Sequence, residues 1–116
     1  MIELIVNKET LFEEMDNDPQ LLKDVIGIFL ADCPNKLAEL RTAVMARNVN
    51  QIASGAHSLR GSVSIFGATT AVEAARTLES MGGKGDAEDL DEAFFVLERE
   101  TALLTSALEQ IAKDAF

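Results

Sequence analysis

The chain has 116 residues, of which 47% are hydrophobic, and a formal net charge of −10. This length fits one domain with one core, which we place over residues 1–116, and the hydrophobic fraction excludes a disordered chain. The acidic balance argues against nucleic acids and anionic membrane surfaces as partners, and no apolar run approaches the roughly 20 residues that span a bilayer. One cysteine excludes an intrachain disulfide and fits a reducing cytoplasm.

Helical spacing of the apolar residues predicts an all-α protein. Asn7 is predicted to cap a short first helix that carries Leu11 and Met15. Asp18–Pro19 then opens a long helix, since a capping side chain is followed by proline at the first helical position. The apolar spacing continues through Pro34, which predicts a kink rather than an end. The apolar positions of this helix are Leu22, Ile26, Phe29, Cys33, Leu37, Leu40 and Val44.

The next helix carries the chain's one histidine, His57. Asn48 and Gln51 match a capping box at its start, and Gly67 is the expected left-handed residue after a last helical residue at Phe66. At about 100° per residue, its apolar side chains fall in one narrow stripe. These are Ile52, Ala56, Leu59, Val63 and Phe66. His57 points away from this stripe, toward the small residues Ala53, Ser54, Gly61 and Ser64.

Two more helices complete the predicted fold. Thr70 and Glu73 match a second capping box, which opens a helix with apolar Val72, Ala75, Leu78 and Met81. A glycine-rich turn over 82–85 follows, and Asp86 is predicted to cap the last helix. That helix has a seven-residue repeat of Leu90, Phe94, Leu97, Thr101, Leu104, Leu108 and Ile111. Such a repeat fits a coiled coil, but short connections favour an antiparallel up-down four-helix bundle with a short additional N-terminal helix.

His57 is the candidate functional residue, because its small neighbours leave the imidazole open to a reactive group of another protein. Gly61 costs roughly 1 kcal/mol relative to alanine inside a helix, which suggests that its backbone is approached closely. Arg60 lies three residues from His57, within reach of a group attached to the imidazole. One histidine and one cysteine supply neither metal-ligand spacing nor a second group for nucleophilic catalysis, so neither a metal site nor a hydrolytic enzyme is expected.

The segment His57-Ser58-Leu59-Arg60-Gly61-Ser62 resembles the His-x-Leu-(Lys/Arg)-Gly-Ser motif of the histidine-containing phosphotransfer (HPt) domain. The resemblance continues at Phe66-Gly67-Ala68 and at Leu78-Glu79 in the next helix. It also covers Asp18-Pro19 and the stretch from Phe29 to Pro34. The match therefore extends over nearly the whole chain.

The resemblance implies a phosphocarrier that has no kinase activity, no nucleotide site and no cofactor of its own. His57 would accept a phosphoryl group at Nε2 from the aspartyl phosphate of one receiver domain and pass it to another in a His–Asp phosphorelay. Mg²⁺ would be held by the receiver. Arg60 occupies the position where the family usually has lysine, close to the phosphoryl oxygens. The implied partners are response-regulator receiver domains and a sensor histidine kinase, and we expect a cytoplasmic monomer.

The receiver is expected to dock on the exposed side of the histidine helix and on part of the preceding long helix. The residues predicted to allow this approach or contact are Ala53, Ser54, Ser58, Gly61, Ser64, Ile65, Gly27 and Leu30. Two alternatives stay open at this point. One is a binding module that has kept the fold and lost the chemistry, and the other is the phosphotransfer domain of a chemotaxis-type histidine kinase.

Overall fold

The computed structural model describes residues 6–82 and 87–115. In these residues the chain forms five helices: α1 (Lys8–Glu14), α2 (Pro19–Met45), α3 (Val49–Ser64), α4 (Thr69–Gly82) and α5 (Ala87–Ala115). Helices α2 to α5 pack in ring order, with α5 returning to α2, and α1 lies against α2. Only three or four residues separate consecutive helices, which favours antiparallel neighbours. The predicted four-helix bundle with a short N-terminal helix is confirmed.

Three of the predicted helix starts are confirmed by their capping hydrogen bonds. The side chain of Asn7 accepts from the Thr10 amide, and that of Asn48 accepts from the Gln51 amide. Asp18 accepts from two amides at the start of α2, directly before Pro19. Each bond satisfies an amide that has no partner within the first helical turn. Helix α2 then runs unbroken through Pro34.

The turn between α3 and α4 differs from the prediction. Helix α3 ends at Ser64, two residues before Phe66, because the chain tightens into bonds from Phe66 to Val63 and from Gly67 to Ser64. Gly67 has the predicted left-handed conformation, with φ of 65°. The following helix begins at Thr69, so Thr70 lies inside it and the prediction of Thr70 as its cap is wrong. Of the predicted glycine-rich turn over 82–85, Gly82 is the last residue of α4. The rest of that segment and the predicted cap Asp86 lie outside the described residues.

The core lies along the predicted apolar stripes. All seven predicted positions of α5 are buried, and in α2 only Leu37 is half-buried rather than buried. Thr101 is fully buried in the α5 stripe, where its hydroxyl donates to the Leu97 carbonyl at 2.9 Å and thus satisfies its polar group. Within the described ranges, no helix is long and apolar enough to cross a membrane.

An ion pair on the surface joins the turn before α3 to the last helix. Arg47 donates to both carboxylate oxygens of Asp91, at 2.9 and 3.0 Å. The hydrogen bonds from Arg47 hold the pKa of the Asp91 carboxyl below its ordinary value, although partial desolvation opposes them. This bidentate contact links the turn before the histidine helix to α5, although solvent screening makes the contribution of such exposed pairs to stability small.

Candidate functional site

Helix α3 divides into a buried face and an open face. Ile52, Ala56, Leu59 and Val63 are buried in the core. His57 lies on the opposite side, and 67% of its side chain is exposed. Of the small neighbours that the sequence predicts, Ser54, Gly61 and Ser64 are exposed and Ala53 is half-buried. The imidazole is therefore anchored on a packed helix and stands open to solvent.

The imidazole is held at one of its two nitrogens. His57 Nδ1 lies 3.0 Å from Glu79 Oε2 on α4, and also 3.0 Å from Arg60 Nη2. Arg60 Nε donates to the other carboxylate oxygen, Glu79 Oε1, at 2.8 Å. His57 Nε2 makes no hydrogen bond to any residue that the structure describes. The three side chains thus form a closed polar cluster that leaves Nε2 free.

Glu79 supplies the negative charge of this cluster. Its side chain is 28% exposed. Desolvation by burial raises the pKa of the Glu79 carboxyl, but the hydrogen bonds from Arg60 and His57 together outweigh it, so the pKa lies below its ordinary value. Glu79 is therefore an ionised hydrogen-bond acceptor beside the imidazole at neutral pH.

A carboxylate at Nδ1 prepares the imidazole for nucleophilic attack from Nε2. The hydrogen bond made by one ring nitrogen determines which nitrogen carries the proton. When Nδ1–H donates to Glu79, the lone pair of the ring lies on Nε2. The same carboxylate can stabilise the positive charge that the ring gains when Nε2 forms a new bond.

Arg60 contacts both other members of the polar cluster. Its Nε donates to Glu79 Oε1 at 2.8 Å, and its Nη2 lies 3.0 Å from His57 Nδ1. The arginine side chain is 31% exposed, so part of the guanidinium remains accessible. In this arrangement the guanidinium contacts the Glu79 carboxylate and the ring nitrogen Nδ1. Its contact with a phosphoryl group on Nε2 stays a prediction.

Gly61 leaves open space one helical turn beyond His57. Apart from its two chain neighbours and the nearby backbone of its own helix, no atom lies within 4 Å of a Cβ atom built on Gly61. The absence of a side chain is therefore not required by packing inside the bundle. It leaves room for a molecule that approaches the imidazole from outside.

The other side of α3 borders an apolar groove of about 180 Å³ between α2 and α3. Ile65, a predicted docking residue, is 49% exposed at this groove, and Ile28 of α2 is 64% exposed beside it. Gly27 and Leu30, also predicted for docking, instead line a separate depression shared with Ala112 of α5. Ile28 lines both this depression and the apolar groove, so the two surfaces meet at that residue. The part of Gly27 and Leu30 in docking stays a prediction.

A polar groove of about 410 Å³ continues along the same two helices and includes the predicted residues Ser54 and Ser58. Its lysine, Lys36, donates to the hydroxyl of Ser62 at 2.6 Å. Sequence reasoning assigned no role to Lys36 or Glu79. Glu79 belongs to the segment that carries the family resemblance, but only the packing of α4 against α3 brings its carboxylate to the imidazole.

Comparison with known proteins gives one match. The family model described as "Hpt domain" matches residues 24–114, which include most of α2, all of α3 and α4, and nearly all of α5. No curated protein and no solved structure matches the chain.

Proposed function

The chain belongs to the Hpt domain family, and we propose that His57 is its phosphoacceptor in a His–Asp phosphorelay. Hpt domains are phosphocarrier modules of two-component systems that interact with receiver domains and kinases. The observation that carries the proposal is the exposed imidazole with Nδ1 beside Glu79 and with Nε2 free. An imidazole held in this way favours the carrier over a binding module that has lost the chemistry.

The proposed reaction is the transfer of one phosphoryl group between two side chains. The lone pair of His57 Nε2 attacks the phosphorus of an aspartyl phosphate, a nitrogen–phosphorus bond forms, and the phosphorus–oxygen bond to the aspartyl carboxylate breaks. The proton stays on Nδ1, where Glu79 balances the positive charge of the ring. Passing the group to a second receiver reverses these steps. Such transfers are catalysed mainly by positioning of the reacting groups and by stabilisation of charge on the phosphoryl oxygens. The Mg²⁺ that contributes to this stabilisation would be held by the receiver.

The docking surface for the receiver is proposed to run along α3 from His57 past Gly61 to Ile65, with Ile28 of α2 at its edge. Both isoleucines have unusually high exposure for their residue type, and they border one apolar groove. A partner helix with an apolar face would bury them and bring its aspartyl phosphate to Nε2. On α2, Ile28 is added to the predicted contacts Gly27 and Leu30, because it lines both the apolar groove and the depression that those two residues border.

The test is phosphoryl transfer from a panel of radiolabelled phospho-receiver domains to the wild-type chain and to His57→Gln. We expect an acid-labile, alkali-stable label on the wild-type chain alone, with equal helical circular dichroism for both proteins. Label on both proteins would exclude His57 as the acceptor. Failure to label either one across the panel would contradict the carrier function and favour a binding module.

A further inference from the structure

One nitrogen of His57 has two neighbours that require opposite protonation states. Glu79 Oε2, at 3.0 Å from Nδ1, can only accept a hydrogen bond, so that contact requires a proton on Nδ1. Arg60 Nη2, also at 3.0 Å, can only donate, so that contact requires a lone pair on Nδ1. Both hydrogen bonds cannot exist at the same time, although both partners are in place.

Arg60 does not have to leave the site for either contact to form. Its Nε donates to Glu79 Oε1 at 2.8 Å, which anchors the guanidinium while Nη2 faces the ring. Glu79 is therefore shared between the guanidinium and the imidazole. The arginine acts on the ring both directly, through Nη2, and indirectly, by occupying half of the carboxylate.

We propose that Arg60 is a positioning residue that competes with Glu79 for Nδ1 and so divides neutral His57 between two tautomers. In one, Nδ1–H donates to Glu79 and Nε2 is a nucleophile. In the other, Nδ1 accepts from Arg60 and the proton lies on Nε2, where it blocks attack. The ratio of the two forms sets the fraction of molecules that can react.

The same competition bears on a phosphorylated ring, which is the part of the inference that rests on the proposed function. Cleavage of the nitrogen–phosphorus bond releases a neutral imidazole only when Nδ1 carries a proton. Without that proton the leaving group is an imidazolate, which leaves far less readily. A hydrogen bond from Arg60 to Nδ1 thus favours the slowly reacting form, and the contact to Glu79 favours the reactive form.

The experiment is ¹⁵N NMR of the unphosphorylated protein at a pH where the imidazole is neutral. The chain has one histidine, so its two ring nitrogen signals need no further assignment, and their shifts report the tautomer ratio. We expect averaged shifts in the wild type. Arg60→Ala should shift the ratio toward Nδ1–H by about 3–10-fold, the size of one net hydrogen bond, and Glu79→Ala should shift it toward Nε2–H.

The matched control is Arg76→Ala. Arg76 is an exposed arginine one turn before Glu79 on α4, and it makes no hydrogen bond or ion pair with the rest of the described chain. It should leave the ratio unchanged. A wild-type ring in one tautomer, or an equal response to Arg60→Ala and Arg76→Ala, would overturn the inference. Because no receiver takes part, either result is independent of whether phosphotransfer is observed.

Discussion

The two faces of α3 have the same backbone and opposite surroundings. On one face Leu59 is 1% exposed and Val63 is fully buried; on the other, His57 and Gly61 are exposed along the same 16-residue helix. The buried face determines where the helix lies, and the open face carries the imidazole that we propose as the phosphoacceptor. We conclude that the position of the imidazole and its reactivity depend on different side chains, and that the two can be altered separately.

The two glycines of α3 show the same division. A Cβ atom on Gly55 would lie 3.2 Å from Leu40 Cδ1 of α2, whereas one on Gly61 would meet nothing within 4 Å. Gly55 thus permits close packing of two helices inside the molecule. Gly61 has no such internal partner, so its small size matters only to something outside the bundle.

The largest expected effect on stability comes from truncation of the buried face by Leu59→Ala. The substitution removes a core side chain and leaves a cavity, so we expect the free energy of unfolding to fall by about 2–5 kcal/mol, a large part of the total for a domain of this size. Urea denaturation followed by circular dichroism measures this change. Transfer to His57, normalised to the folded fraction, should stay near the wild-type rate.

If a folded Leu59→Ala protein transferred phosphoryl groups much more slowly, the conclusion that the two faces can be altered separately would be wrong. It would show that the packing under α3 also controls the reactivity of the ring. Leu78→Ala on α4 is a useful second variant, since Leu78 is equally buried and belongs to the helix that carries Glu79.

The next effect concerns the open face. Gly61→Trp places a large side chain in the space beside His57, so we expect transfer from a phospho-receiver to fall at least about tenfold, which corresponds to roughly 1.4 kcal/mol of lost docking energy. The urea midpoint should change little, because no neighbouring atom lies where the side chain starts. Ala102→Trp, at an exposed position of α5, is the control for a surface tryptophan. Equal rates for both variants would argue against docking over Gly61.

The sequence predicts those features that depend on local spacing. The apolar stripe of α3 identifies the face that carries His57, and the caps at Asn7, Asp18 and Asn48 follow from residue types at fixed offsets. The start of α4 was misplaced because a tight turn around Gly67, not the hydroxyl of Thr70, ends one helix and begins the next.

The polar partners of His57 could not be predicted in the same way. Glu79 is 22 positions from His57 along the chain, and the rotation of α4 decides whether its carboxylate reaches the ring. Arg60 was placed correctly on the histidine side of α3, but an intrahelical offset cannot show that the guanidinium turns toward Glu79. On α2, the predicted docking residues Gly27 and Leu30 stay a prediction. The structure adds Ile28, whose 64% exposure beside the apolar groove could not be predicted from helical spacing alone.

The smallest expected effect is the change in stability when each glycine of α3 is replaced by alanine, which compares the two faces directly. Gly61→Ala adds a methyl group in open space inside a helix, so we expect stability to rise by about 0.5–1 kcal/mol through helix propensity and the lower entropy of the unfolded chain. Gly55→Ala has the same gain from helix propensity and unfolded-chain entropy, but its methyl group must displace Leu40. Its net gain in stability should therefore be smaller. Urea denaturation of both variants measures the difference. If Gly55→Ala were the more stabilising, Gly61 would have an internal role that its surroundings do not reveal. If Gly61→Ala is the more stabilising, the wild-type glycine reduces the stability of the bundle, which is the result expected from the proposed role of Gly61 in partner access to His57.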